Sequence, residues 1–211
     1  MEAVGLRELK KRRTRAAILE AAFALFERSG FDGVSVADIA AAAEVSKPTL
    51  FAYFPTKEDL VLHRFLDGEN DPALIVRHRD AATPPLRALR QNFLDRLTQR
   101  DPRTGLNDDP AAVMFHDLLY STPSLMARLS GYMLDRERDL TDALLSSGWP
   151  SDEFTARLVA AQIFAAQRIL SNHNARAIRA GRAVDDMYPT AVANADQAFD
   201  VIENGHAPRS D

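Results

Sequence analysis

The chain has 211 residues, enough for one large domain or two modest ones, and its lack of cysteine removes disulfides, thiolate metal sites and cysteine nucleophiles together. The N-terminus has a basic run without an apolar signal core, and no later stretch approaches the roughly 20 apolar residues that span a bilayer, so a soluble, cytoplasmic protein with no membrane partner is expected. The formal charge of -4 conceals an asymmetry: all four lysines, Lys10, Lys11, Lys47 and Lys57, lie in the first third, joined by Arg7, Arg12, Arg13 and Arg15. Positive charge gathered at one end favours a polyanionic partner there.

In chain order, Ala17, Ile18, Ala21, Ala22, Leu25 and Phe26 recur at intervals of three and four, and Gly30 follows as a stop. The spacing predicts a first helix over 13–29, with a basic arm before it that includes Lys10, Lys11, Arg12, Arg13 and Arg15. Ser35 with Asp38 three residues on is a capping-box pattern, so a second helix should begin at Val36 and carry Ile39, Ala40 and Ala43. The chain should turn at Glu44-Val45, after which Ser46 can cap a third helix, with Pro48 tolerated in the first turn. Leu50 and Phe54 fall four apart, one turned inward and the other closing the helix, leaving Lys47, Thr49, Phe51 and Tyr53 on or near the outer side. Two short helices in this relation, the second too polar and aromatic on one side to be only core, read as a helix-turn-helix for DNA. Ile18, Phe23, Phe26, Phe31, Ile39, Leu50 and Phe54 are its expected core.

A fourth helix opens after Thr56, with Glu58 and Asp59 in its first turn, and fades at 68–70. Thr83-Pro84-Pro85, Asp109-Pro110 and Thr122-Pro123 place a polar residue before proline and predict helices over 86–100, 111–120 and 124–146. Residues 101–109 read as a loop, and 151–153 open a long helix running to 180. A last helix covers 186–203, and a tail over 205–211 should fray. No strand or repeat is visible, so the fold class is all-α: a helix-turn-helix domain over 1–56 and a helical ligand-binding and dimerisation domain over 57–211.

The segment ILEAAFALFERSGFDGVSVADIAAAAEVSKPTLFAYFPTKEDL resembles the N-terminal DNA-binding domain of the TetR family of bacterial transcriptional regulators. Its markers are AAxxLFxxxGF, then SVxDIAxxAxVSxxTLFxYF, then KEDL. The resemblance implies an all-helical homodimer whose variable C-terminal domain binds a small-molecule effector and so controls release from a DNA operator. It also implies contacts to DNA from Lys57 and Tyr53, each at a phosphate. Pro48 stands where the family often has a small residue or glycine, and Ala52 where an aromatic or polar residue is common; both bear on base preference. Lys47 and Thr49 are candidates for base edges, since lysine donates to guanine O6 or N7 and a threonine methyl meets thymine. Ser35 and Ser46 are caps first and phosphate contacts second. Phe51 serves either groove contact or local packing, and the basic arm either tracks a backbone or is simply solvated.

After residue 67 no signature guides the reading. Phe93, Met114, Phe115, Leu119, Tyr120, Met126, Tyr132, Met133, Trp149 and Phe164 are candidates to line an apolar effector cavity, with His116, Gln167 or Tyr120 orienting its occupant; most residues of such a set are ordinarily plain core. Val159, Ile163, Ala166 and Leu170, with Ala191, Val192, Ala195, Phe199 and Ile202, are candidates for a four-helix dimer interface, against the alternative of packing within the chain. An enzyme is not expected, and neither is a metal or cofactor. The five histidines show no HxxxH pairing, no glycine-rich phosphate loop or nucleophile elbow is present, and His116 and Asp117 point about 100° apart on a helix. The other reading is a helical small-molecule binding protein whose DNA-binding motif is vestigial.

Overall fold

A computed structural model describes residues 2–66 and 71–205, with side chains over 7–63 and 71–205. The expected end of the fourth helix at 68–70 and most of the tail lie outside those residues. Among the described residues there are ten α-helices and one 3₁₀ turn: α1 (Glu2–Ser29), α2 (Val36–Ala42), α3 (Lys47–Tyr53), α4 (Lys57–Leu66), α5 (Pro72–His78), α6 (Pro85–Thr98), the 3₁₀ turn (Pro102–Thr104), α7 (Pro110–Ser121), α8 (Pro123–Ser146), α9 (Glu153–Arg179) and α10 (Val184–Asn204). The chain forms two compact units, one of residues 1–66 with 117–126 and the other of 67–116 with 127–211. Helix α4 thus falls in the first unit. In the first unit α4 packs against α1, where the ring of His63 meets Phe23 edge to face at 6.2 Å.

The first unit is built as its periodicity requires. Ile18, Phe26, Phe31, Ile39, Leu50 and Phe54 are buried, and Phe23 is half-buried. Phe26 stacks at 6.2 Å on Phe23 and at 5.2 Å on Phe31. Gly30, at φ 70, donates its N–H to Phe26 O at 2.9 Å and ends α1. The basic arm is not a separate segment, because α1 already begins at Glu2. Residues 7–15 are almost all strong helix formers, Leu, Arg, Lys and Glu, so nothing in them stops a helix from extending.

The second unit has its core in Leu86, Leu89, Phe93, Leu97, Leu140, Leu144, Val159, Ile163, Ala195 and Phe199, among others. Two elements went unforeseen. Asp71 caps α5 through Ala73 N–H at 2.9 Å, and Asp101 caps the 3₁₀ turn through Arg103 N–H at 2.9 Å. Both are Asp-Pro starts, the same signal that marks Asp109-Pro110. The candidate dimer stripe is also corrected. Val159, Ile163, Leu170, Ala191, Ala195, Phe199 and Ile202 belong to the chain's own core, with Ala166 and Val192 packed against it. Helices α9 and α10 pack on each other and α10 on α6, so their most apolar faces are consumed within the chain.

Candidate nucleic-acid interface

Three side-chain caps set the helix-turn-helix. At α2, Ser35 accepts Asp38 N–H at 3.2 Å, while Asp38 Oδ2 accepts the Ser35 N–H at 2.9 Å and the Ser35 hydroxyl at 2.6 Å. The Ser35 side chain and then its backbone N–H stabilise the ionised form, holding the Asp38 carboxyl below its ordinary range. At α3, Ser46 accepts Thr49 N–H at 3.1 Å, and the two hydroxyls lie 2.7 Å apart. At α4, Thr56 and Asp59 form a reciprocal pair, each backbone N–H donating at 3.1 Å to the other's side chain. That pair has the same i to i+3 spacing as Ser35 and Asp38, and the sequence reading passed over it.

Between α2 and α3 the chain reverses in a Schellman turn: Val45 N–H donates to Ala40 O at 2.9 Å and Glu44 N–H to Ala41 O at 3.2 Å. Glu44 takes the left-handed conformation, φ 54. Helix α3 buries Leu50 completely, while Phe54 closes it under the Arg15 guanidinium, 5.4 Å from the ring centroid. Its other side is open. Lys47 and Pro48 are exposed, Thr49 and Tyr53 half-buried, and Phe51 keeps 46% of its surface in solvent, a large apolar side chain without a core to fill. Ser35 and Ser46 are exposed at the two N-termini.

Lys57 sits differently. Its ammonium, half-buried, donates to Phe31 O at 2.8 Å and Val34 O at 3.0 Å and lies 4.1 Å from the Phe31 ring centroid. No local sequence signal reveals this, because the acceptors lie 26 and 23 residues earlier.

The candidate effector residues fall in both units. Phe93 and Phe164 are part of the second unit's core, with Met133 and Trp149 packed against it. Phe115 is buried beside the His116 ring at 5.1 Å. His116 is itself buried, with Nε2 2.7 Å from Pro102 O, so one of its ring nitrogens serves the 3₁₀ turn. Tyr132 lies under the Arg136 guanidinium at 5.1 Å, and burial pushes its phenol pKa up. Arg136 pairs with Asp71 at 2.7 Å and Asp139 at 3.1 Å. Met114 and Gln167 are half-buried. Leu119, Tyr120 and Met126 fall in the 117–126 segment of the first unit.

A capped, solvent-facing α3 set against α2 in an all-helical chain defines a helix-turn-helix DNA-binding protein. Residues 18–63 match the model for bacterial regulatory proteins of the tetR family, and the curated relatives that the chain resembles are transcriptional regulators. It is 28% identical over 170 residues to the HTH-type transcriptional regulator TcmR of Streptomyces glaucescens, covering 79% of this chain and 75% of that one. It is 31% identical over 143 residues to the HTH-type transcriptional regulator RutR of Escherichia coli (strain K12), covering 64% of this chain and 63% of RutR, so it spans less than two thirds of RutR's length. The fold is shared with NalD of Pseudomonas aeruginosa, the secondary repressor of the MexAB-OprM multidrug efflux pump, at a TM-score of 0.60, 17% identity and coverage of 89% and 96%. Salmonella enterica GusR aligns at a TM-score of 0.52 with 20% identity, covering 91% of this chain and 94% of its own. Among the described residues no helix is long and apolar enough to cross a membrane.

Proposed function

We propose that the chain acts in the cytoplasm as a homodimeric repressor that leaves a near-palindromic operator when a small apolar or amphipathic molecule binds its C-terminal unit. The observation that carries the reading is α3, whose exposed Lys47, Pro48 and Phe51 are held in place by the Ser46 cap and the buried Leu50. Lys47 and Thr49 read base edges, while Tyr53, Ser35 and Ser46 meet phosphates. The fold shared with NalD supports repression.

Dimerisation uses the outer face of α9. Phe154, Leu158 and Ile169 stand 77%, 43% and 58% exposed along it, with the half-buried Ala161 and Ala165 between them. One end of this face is a groove with Glu137, Glu153, Phe154, Arg157 and Leu158, where two carboxylates outnumber one guanidinium, and the other a groove with Arg168, Ile169, His173 and Arg176. A two-fold contact must be self-complementary. Two antiparallel copies of α9 crossing at the alanines bring the acidic end of each onto the basic end of the other. To read a near-palindrome, such a dimer needs its two α3 helices at half-sites one DNA turn apart, about 34–36 Å. An effector preferring one conformer by roughly 1–3 kcal/mol suffices to change occupancy.

The test is selection of random DNA fragments by the purified chain. A near-palindrome should be enriched, and Lys47→Ala or Thr49→Ala should alter preference at one or two positions within each half. Uniform weakening would move those residues to the backbone, and no enrichment by folded protein would end the operator reading.

A further inference from the structure

Lys57 occupies the first position of α4, where a cation has no favourable interaction with the helix dipole, yet its ammonium is drawn into its own chain. An ammonium offers three donors and no acceptor, and two of the three are spent on Phe31 O and Val34 O. Those carbonyls belong to the connection between α1 and α2, which is folded tightly. A Cβ on Gly33 would lie 2.4 Å from Ser29 O, and Val34 N–H reaches back to Phe31 O at 3.4 Å. The turn thus aims two carbonyls at one point. Their partial negative charge converges there, and the Phe31 ring, 4.1 Å from Nζ, adds its π-face to the seat. The residue after Val34 is Ser35, the cap of α2.

From this geometry we infer that Lys57 is a positioning residue for DNA reading: it clamps the α1–α2 connection to the first turn of α4 and so sets the N-terminus of α2, instead of neutralising a phosphate. The inference rests on the DNA-binding reading above. Charge-assisted hydrogen bonds to half-buried carbonyls are among the stronger local contacts a surface unit makes. Their loss frees the connection without removing a cation from the DNA face.

The experiment compares Lys57→Met and Lys57→Gln with the unaltered full chain. Amide exchange over 31–38 is read without DNA, and affinity for the selected fragment is read between 50 and 200 mM salt. The Met variant should exchange faster over 31–38 and bind about tenfold or more weakly, with the slope of log affinity against log salt unchanged. The Gln variant, neutral but still an N–H donor, should recover part of both losses. A slope lower by about 0.9 in both variants would make Lys57 a phosphate ligand and overturn the inference, as would unchanged exchange in the Met variant. Because exchange needs no DNA, the clamp is tested even where the operator reading fails.

Discussion

Glu44 bears the turn of the helix-turn-helix with a left-handed backbone, φ 54, that costs a residue with a Cβ about 1 kcal/mol or more. Its own N–H and that of Val45 complete the Schellman pair regardless of its side chain. Glu44→Gly should therefore stabilise the chain by about 1 kcal/mol, raising the thermal midpoint by roughly 2–4 °C; circular dichroism melting checks this, and a lowered midpoint would mean that the glutamate side chain supports the turn. At this scale the local chemistry was legible. Ser35, Asp38 and Ser46 act within four residues of themselves, and their oxygens sit where the i to i+3 pattern puts them. Lys57 was not legible, since a cation shows its charge in the sequence but not the carbonyls that a distant turn presents to it.

At the scale of elements, the connection between α6 and α7 is organised around the Asp101 carboxylate. Asp101 caps the 3₁₀ turn and pairs with Arg103 at 2.6 Å and Arg96 at 3.1 Å, where only 12% of its own side chain and 9% of that of Arg96 remain exposed. The turn is tied to α9 as Ser171 donates to Arg103 O at 2.8 Å and Asn174 to Thr104 O at 3.0 Å. Gly105 lets the backbones meet: at φ 71, its added Cβ would stand 2.1 Å from Ser171 O. Burial opposes ionisation of Asp101, but the Arg103 hydrogen bonds and the Arg96 charge outweigh it and hold its pKa below the ordinary value. A carboxyl depressed in the folded state contributes stability above its unfolded pKa and loses it as pH falls through the folded one. The urea midpoint should accordingly drop as pH is lowered below about 4, and Asp101→Asn should lower it at pH 7 while flattening its acid dependence. An equally steep acid dependence in the variant would assign the loss to other carboxylates. Residues 101–109 read as loop in the sequence because a three-residue turn has too little periodicity to see, with Asp101-Pro102 as its local mark.

For the whole molecule, the proposed dimer turns on which apolar face of the long helices meets a second copy. Leu158→Glu with Ile169→Glu should leave helicity intact, convert the dimer to a monomer by sedimentation, and weaken operator binding about 100-fold or more as the half-sites cease to act together. A dimer that survives both changes must use another face. The sequence by itself determined the all-helical class, the caps and inward residues of the helix-turn-helix, and its resemblance to the tetR family, because helix starts, 3.6-residue periodicity and a short motif are encoded within a few turns of chain. Only the tertiary structure decided that Val159, Ile163, Ala195 and Phe199 serve the chain's own core, that α1 absorbs the basic arm, and that Lys57 is seated on Phe31 and Val34. Periodicity says that a face is apolar or that a charge is present; the partner that covers the face or meets the charge is chosen by the three-dimensional arrangement of residues far apart in the chain.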